Sequence, residues 1–158
     1  MGGPKIPFMD PKGGRNMLSR EEIKKAFAQW SRAWDDHDLM GVMELFDEDI
    51  VFENWTGGTV KGKEALLRAW KPWFGNHGGF RFIGEDLFID EVEQKVLYQW
   101  RLEWPSAEKG YAGEPEQRRG LDVIHFRGGK IHRKYTYSKT SLEIAGKRVR
   151  LSAEAPSR

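Results

Sequence analysis

Apolar residues in the first half of the chain recur at the spacing of helices that bury one side. Four of them, spaced by 4, 3 and 4 residues, predict a helix from Ser19 to about Asp36; they are Ile23, Phe27, Trp30 and Trp34. Ser19 can cap this helix because Glu22 stands three residues later, as a capping box requires. The same pattern predicts a short helix that ends before Asp47 and a third helix from Gly62 to Phe74. The inward-facing residues are predicted to be Leu39, Val42, Met43 and Phe46 in the second helix and Leu66, Ala69, Trp70 and Trp73 in the third.

Alternating apolar and polar residues predict strands in the rest of the chain. The predicted strands are Ile50 to Trp55, Phe80 to Asp90, Lys95 to Trp104, two strands within Glu116 to Ser138, and a small terminal hairpin within Leu142 to Leu151. Three helices, interrupted by one short strand and followed by long antiparallel strands, indicate an α+β fold. A curved sheet with these helices against its concave face would enclose a pocket.

One carboxylate, Asp122, stands between aliphatic neighbours in the central hairpin. A two-residue turn would place it opposite Tyr135, whereas a three-residue loop with Gly129 in the left-handed region would place it opposite Lys134. We expect the second arrangement, because glycine carries no Cβ penalty in that region. The face of Asp122 would then be shared by Ile124, Phe126, His132, Lys134 and Thr136.

Two roles remain open for Asp122. Burial among apolar side chains disfavours its ionised form, whereas a neighbouring Lys134 favours it. A protonated Asp122 could donate a hydrogen bond to a substrate oxygen. A carboxylate paired with Lys134 would instead mainly hold the sheet together.

The strand from Lys95 to Trp104 has two different faces. One face is apolar, with Val96, Tyr98, Trp100, Leu102 and Trp104; the other carries Leu97, Gln99, Arg101 and Glu103. The polar row either meets solvent or lines a cavity. In a cavity, Arg101 and Glu103 could hold a water molecule together with Asn54, and Glu103 would take its proton. The apolar outer side of the sheet, with Trp100, Trp104, Val123 and Tyr135, would then form a dimer interface.

Composition and charge exclude several classes of function. The chain has 158 residues, enough for one domain, and a net charge of +2 from 26 basic and 24 acidic residues, which gives no excess for nucleic acid or anionic membranes. Its lack of cysteine excludes disulfides, thiolate metal sites and cysteine nucleophiles, and its four histidines are too scattered for a metal site. Arg118 and Arg119 are expected at a solvated edge. Without a long apolar run or a secretion signal, we expect a cytoplasmic protein.

Three segments occur in an order and spacing that resembles the nuclear-transport-factor-two-like (SnoaL-like) superfamily. They are ELFDEDIVFENW, VKGKEAL and GLDVIHFRGGKI. The resemblance runs from Ser19 to about Ser138 and implies a cystatin-like cone, in which three N-terminal helices cover the concave face of a curved antiparallel sheet around a pocket. It also implies frequent homodimers. The chain then divides into a flexible arm at 1–17, a SnoaL-like domain at 18–140, and an extension at 141–158 with a small hairpin and a frayed tail.

The resemblance extends to two enzyme branches of the superfamily, which includes polyketide cyclases. Limonene-epoxide-hydrolase-like proteins carry aromatic-x-Asn and Arg-x-Asp motifs, which Phe52-Glu53-Asn54 and Arg101-Leu102-Glu103 resemble, but their second catalytic Asp falls on Thr136. Ketosteroid-isomerase-like proteins carry a buried Asp that Asp122 matches. Their general base falls on Asn54, whose amide cannot accept a proton at neutral pH.

The sequence therefore predicts a homodimer that uses no cofactor or metal and holds a small, mostly apolar organic molecule in an aromatic pocket. If the protein is an enzyme, we expect epoxide-type hydrolysis or isomerisation and cyclisation. Asp122 and Glu103 would transfer protons, and Asn54 and Arg101 would position the substrate. The pocket would be formed by Trp30, Trp34, Phe52, Trp70, Phe74 and Lys134. The alternatives are a non-catalytic binding or dimerisation module and an accessory subunit of a larger enzyme; the substrate stays open.

Overall fold

The computed structural model describes residues 17–151, so almost all of the expected N-terminal arm and the expected frayed tail lie outside the described residues. Three helices and eight strands follow one another within this range. They are α1 (Arg20–Asp35), α2 (Leu39–Glu44), β1 (Phe46–Glu53), β2 (Thr59–Lys61), α3 (Lys63–Gly75), β3 (Arg81–Asp90), β4 (Lys95–Pro105), β5 (Pro115–Arg127), β6 (Lys130–Ser138), β7 (Ser141–Ile144) and β8 (Lys147–Arg150).

The start of α1 confirms the predicted capping box. The backbone N–H of Glu22 donates to the Ser19 hydroxyl at 3.2 Å, and the Ser19 N–H donates to the Glu22 carboxylate at 2.8 Å. The buried face of α1 carries the four predicted apolar residues, Ile23, Phe27, Trp30 and Trp34. The helical period of the sequence thus fixes which side of α1 faces the sheet.

The structure corrects the two elements that follow. α2 ends at Glu44, and Phe46 enters the core as the first residue of β1, not as part of a helix. In α3, Ala69 is exposed, although it was predicted to face inward, whereas Trp73 is half-buried and Phe74 is buried. β2 was not predicted, because its three residues are too few to show an alternating pattern.

The strands form one strongly curled sheet in the order β2-β1-β6-β5-β4-β3. β1 and β6 run parallel, and the other neighbouring strands on this path run antiparallel. β7 pairs with β5 and with β8, so a small hairpin packs beside the start of β5. α1 packs against β3, and α3 packs against β1. This arrangement confirms the predicted α+β cone, whose core lies between the helices and the concave face of the sheet.

The central hairpin has a different register from the predicted one. Arg127 pairs with Lys130 around a two-residue turn at Gly128 and Gly129, whose φ angles are 58° and 78°. A bulge on β6 follows, because Phe126 pairs with Ile131 whereas His125 pairs with Arg133. Asp122 therefore lies opposite Thr136, and the predicted pairing with Lys134 across a three-residue loop is wrong.

The extra residue in this bulge is His132, which leaves the face of Asp122. Its ring lies edge-to-face with that of His125, at 6.0 Å, on the outer side of the sheet. Partial burial is the main factor that lowers the pKa of both imidazoles, and nearby cations, Arg133 for both, lower it further. Both histidines are therefore held as neutral groups in the folded chain near neutral pH.

This pair should make the fold less stable in mild acid. An unfolded histidine has a pKa of about 6.5, so the unfolded chain binds more protons than the folded chain just below that pH. The free energy of unfolding should therefore fall as the pH decreases from about 7 to about 5. Urea unfolding midpoints across this range measure the effect, and the variant carrying His125→Gln and His132→Gln should show a shallower slope. An equal slope in both proteins would contradict the assignment.

Candidate active site

A cavity of about 250 Å³ lies between the helices and the concave face of the sheet. All seven tryptophans of the chain line it, together with two phenylalanines, one tyrosine and a small group of polar residues. The lining residues are Trp30, Ser31, Trp34, Phe52, Asn54, Trp55, Trp70, Trp73, Phe82, Tyr98, Trp100, Trp104, Asp122, Lys134 and Thr136. An apolar wall with few polar groups is typical of sites that bind organic ligands.

The sheet makes room for Trp100 on the floor of this cavity. The residues that pair with Trp100 on the two neighbouring strands are both glycine, Gly84 on β3 and Gly120 on β5. A Cβ atom at Gly120 would lie 2.5 Å from the Trp100 ring and would also collide with the carbonyl oxygen of Tyr137. The indole can therefore cover β5 only because residue 120 has no side chain.

The polar end of the cavity is a hydrogen-bonded group of three buried side chains. Lys134 Nζ donates to Asp122 Oδ1 at 3.0 Å and to Thr136 Oγ1 at 2.8 Å, and Thr136 Oγ1 donates to the same Asp122 oxygen at 2.6 Å. Lys134 Nζ also lies 5.0 Å from the centre of the Phe52 ring. The structure therefore shows the paired form of Asp122, although the pair is diagonal and not directly cross-strand.

Two further polar residues of the lining can donate hydrogen bonds. Tyr98 lies opposite Asp122 in the β4–β5 register, and burial, helped by the negative charge of Asp122, raises the pKa of its phenol to about 12. The phenol therefore keeps its proton at neutral pH. Asn54 Oδ1 accepts a hydrogen bond from the Trp55 N–H at 2.8 Å, which leaves the amide nitrogen as its donor group.

Most of the predicted site residues come together in this cavity. Asn54, Asp122 and Lys134 line it, as do the predicted walls Trp30, Trp34, Phe52 and Trp70. Phe74 is buried one layer behind the lining, where its ring lies 5.2 Å from that of Trp34. The sequence prediction missed Tyr98, which was assigned to the wrong side of β4. Its register with Asp122 would have identified it.

Arg101 and Glu103 do not reach the cavity. They lie on the outer face of β4, where their side chains are 37% and 36% exposed and Arg101 Nε is 3.4 Å from Glu103 Oε1. The alternation of β4 places Trp100 and Trp104 on the concave face, so the prediction that the polar row lines the cavity is wrong. The prediction that these two tryptophans form the outer face is wrong for the same reason.

The described part of the chain contains no cluster of three or more His, Cys, Asp or Glu side chains that could hold a metal ion. Within the same residues, no helix is both long enough and apolar enough to cross a membrane.

The fold and the cavity define the class: a cone-shaped α+β protein whose helices and curled sheet enclose an aromatic hollow with a polar end. A family model described as "SnoaL-like domain" matches residues 8–134. The chain therefore belongs to the SnoaL-like domain family, as the three sequence segments indicated. A comparison with curated proteins gives no match.

Solved structures of similar fold include enzymes and proteins of unknown function. An NTF2-like protein of unknown function from Mesorhizobium loti is 23% identical, with a TM-score of 0.61 over 75% of this chain and 92% of its own. TerC, co-crystallised with polyporic acid, is 16% identical, with a TM-score of 0.62 over 75% and 92%. The epoxide hydrolase/cyclase-like enzyme SalBIII, which has a role in pyran ring formation in salinomycin, is 15% identical, with a TM-score of 0.65 over 77% and 93%. At these identities the likeness shows the fold alone.

Proposed function

We propose that this chain binds a small, mostly apolar organic molecule in the aromatic cavity and moves a proton on it, with its own side chains, in an isomerisation or cyclisation. One observation carries the proposal. The only carboxylate among the residues lining the described cavity, Asp122, lies beside the Lys134 ammonium at one end of a hollow whose other walls are largely indole rings. Seven tryptophans favour a flat, apolar ligand, and the polar group favours a ligand with one oxygen function.

The arrangement can take a proton from carbon next to a carbonyl group. The described hydrogen bonds of Asp122 all end on Oδ1, which leaves Oδ2 to accept the proton. The electron pair of the broken C–H bond would move to the carbonyl oxygen, and Lys134 and Tyr98 supply donors for the resulting negative charge. Asp122 would then return the proton to another carbon of the same molecule, so that atoms and charge balance.

Isomerisation or cyclisation is favoured over epoxide hydrolysis by the placement of the acidic residues. The hydrolytic route needs an arginine and a second acid at the substrate, and here Arg101 and Glu103 lie on the opposite face of β4. Thr136 occupies the remaining position and cannot act as a carboxylate base. The likeness to SalBIII supports the fold alone and does not decide between the two reactions.

A turnover assay with one matched pair of variants tests the proposal. The probe is a β,γ-unsaturated cyclic ketone, whose conjugated isomer is followed by its ultraviolet absorbance. Asp122→Asn should lower the rate about hundredfold or more, because the amide cannot take a proton. Glu103→Gln makes the same chemical change on the outer face of the sheet and should leave the rate unchanged. Equal effects of the two substitutions would contradict the proposal.

A second variant distinguishes a loss of activity from a loss of folding. Asp122→Asn leaves Lys134 without its counter-charge, so thermal unfolding is measured beside the rate. Asp122→Glu keeps the charge but moves the carboxylate, and it should slow turnover while the chain stays folded. A folded Asp122→Glu variant with the full rate would also overturn the role of Asp122.

A non-catalytic binder is the second candidate, and one observation favours it. Asp122 Oδ1 already accepts hydrogen bonds from Lys134 and Thr136, as in a structural ion pair. Acetophenone, an aromatic ketone that quenches indole fluorescence, separates the two functions. Quenching that saturates, without turnover of the unsaturated ketone, would support the binder. Turnover in the wild type that depends on Asp122 would exclude it.

We also propose a homodimer formed through the outer face of the sheet. Half-buried apolar side chains lie there on three adjacent strands, at Leu97, Val123 and Tyr135, which pair in register. Light scattering after gel filtration should give the mass of a dimer, and Val123→Glu should give a monomer because it places a charge at the centre of this face. Val92→Glu, in the exposed turn after β3, should leave the dimer intact. A monomeric wild type would contradict the proposal.

A cytoplasmic location remains a prediction.

A further inference from the structure

A second buried ionic group lies at the start of β5, behind the wall of the cavity. The side chains of Arg118 and Glu116 are 1% and 0% exposed, and Arg118 Nε donates to Glu116 Oε2 at 3.1 Å. Arg118 Nη2 also donates to Glu108 Oε1 at 2.6 Å, and the Ser106 hydroxyl donates to Glu116 Oε1 at 3.0 Å. The expectation that Arg118 lies at a solvated edge is therefore wrong, because alternate residues of β5 face the interior.

This group holds two tryptophans of the cavity wall. Trp104 Nε1 donates to Glu116 Oε2, and Arg118 Cζ lies 4.6 Å from the ring centre of Trp55 and 5.7 Å from that of Trp104. A guanidinium over an indole face is attracted by the negative face of the ring. Together, the hydrogen bond and the ring contacts restrict rotation of both indoles.

The two tryptophans lie on the more exposed side of the cavity. Trp55, Trp73 and Trp104 are half-buried, whereas the other four tryptophans are 9% exposed or less. The rings of Trp55 and Trp104 meet edge-to-face at 6.0 Å, and those of Trp73 and Trp104 meet edge-to-face at 6.5 Å. A ligand that enters on this side passes beside these rings.

Stability alone gives little reason for charged residues here. A buried ion pair can often be replaced by apolar residues of similar volume at no cost in stability. An apolar pair would fill the same space, but it would offer no acceptor to the Trp104 N–H and no flat cation to the Trp55 ring. The distinctive contribution of the charges is therefore the orientation of the two indoles.

We infer that Glu116 and Arg118 are positioning residues that fix the orientation of Trp55 and Trp104 and thereby determine how wide a ligand enters the cavity. This inference rests on the proposed function of the cavity as a ligand site. It assigns selectivity to residues that do not themselves line the cavity.

The test compares Arg118→Lys with Arg119→Lys in the full chain. Arg118→Lys keeps the charge but loses the flat fork. Arg119 is the next residue of β5, lies on the outer face and is paired with Glu85, so Arg119→Lys is a matched control. The readouts are the near-ultraviolet circular dichroism of the free protein and the ratio of the dissociation constants for two aromatic ketones, narrow acetophenone and wide, rigid 9-fluorenone.

Arg118→Lys should change the dichroism of the indoles and shift the ratio of the two dissociation constants about tenfold, which corresponds to one contact of this kind. Arg119→Lys should change neither. Glu116→Gln should shift the same ratio in the same direction. If Arg118→Lys does not fold, Trp104→Phe, which removes only the indole N–H and part of the ring, provides the comparison with Glu116→Gln.

A ratio that stays constant while both dissociation constants move in parallel would overturn the inference and leave the cluster a merely structural role. If the wild type binds neither ketone, the proposed function fails, and the inference fails with it. Binding by the wild type together with an unchanged ratio and unchanged dichroism in all variants of the cluster overturns the inference alone.

Discussion

Replacement of Lys134 by methionine should lower the free energy of unfolding by about 3–5 kcal/mol, because removal of one partner leaves a buried charge uncompensated. The side chains of Lys134 and Asp122 are only 7% and 6% exposed. Without the ammonium, Asp122 keeps the Thr136 hydroxyl as its donor but lies among aromatic rings without a counter-charge. Urea unfolding followed by tryptophan fluorescence measures the loss.

Two further variants make this result specific to the buried pair. Lys130→Met changes an exposed lysine of the same strand, which donates to the Glu44 carbonyl oxygen, and should cost about 1 kcal/mol or less. The double variant with Lys134→Met and Asp122→Leu removes both charges and should recover most of the lost stability. If Lys134→Met costs no more than Lys130→Met, the pair does not carry a buried charge and the polar end of the cavity is wet.

The helical part of this fold could be predicted from the sequence because the cap and the apolar spacing of a helix both lie within its own segment. Ser19 and Glu22 define the start of α1, and the spacing of Ile23, Phe27 and Trp30 defines its buried face, without reference to any other element. The family segments added the order of the elements, and hence the cone. These features depend on residues that are close together in the sequence, so one sequence is enough to predict them.

The faces of the strands could not be predicted in the same way. The alternation in β4 separates Trp100 and Trp104 from Arg101 and Glu103, but it does not say which set meets the helices. The prediction assigned the charged set to the cavity because charged residues carry chemistry. In the structure the indole face of β4 meets the helices instead. Burying indole rings removes far more apolar area from water than burying a row of polar side chains.

The register of the central hairpin could not be predicted, because it depends on a bulge that no short sequence motif indicates. Gly128 and Gly129 both suit a tight turn, yet the residue opposite Asp122 is decided by the extra residue at His132. The bulge moves Thr136 into place beside the carboxylate and turns His132 to the outer face. The predicted contact between Asp122 and Lys134 is present because Lys134 lies two residues from Thr136 on the same face.

Once the register is known, the inward-facing residues of β5 can be assigned to successive parts of the cavity and of the wall behind it. Every second residue from Glu116 onwards faces inward: the charged pair Glu116 and Arg118, then Gly120, which Trp100 covers, then Asp122, and then apolar residues. Asp122 lines the cavity, whereas Glu116 and Arg118 lie behind its aromatic wall, so an elongated ligand would be oriented with its oxygen function towards Asp122. The ionic pair proposed for proton transfer and the ionic group inferred to control selectivity thus both involve residues of β5.

Replacement of Trp34 by alanine should cost about 3–5 kcal/mol of unfolding free energy, as expected when a buried tryptophan is truncated. Trp34 is 8% exposed, and its ring contacts six aromatic residues of α1, α3, β3 and the segment just before β3, four of which line the cavity. They are Trp30, Trp70, Trp73, Phe74, Phe80 and Phe82. Thermal and urea unfolding measure the loss. The substitution removes contacts to the helices and to the sheet at the same time, because Trp34 packs against both.

The space left by Trp34→Ala should also change how the protein responds to ligand. An apolar cavity of this kind stays dry and accepts aromatic molecules, so acetophenone should raise the unfolding temperature of Trp34→Ala more than that of the wild type. Tyr137→Ala removes an aromatic ring that is 52% exposed and should change stability by about 0.5 kcal/mol or less. Equal losses in the two variants would mean that the helices are held to the sheet by contacts other than the aromatic lining. The cavity would then lack the rigid walls that selective binding and proton transfer both require.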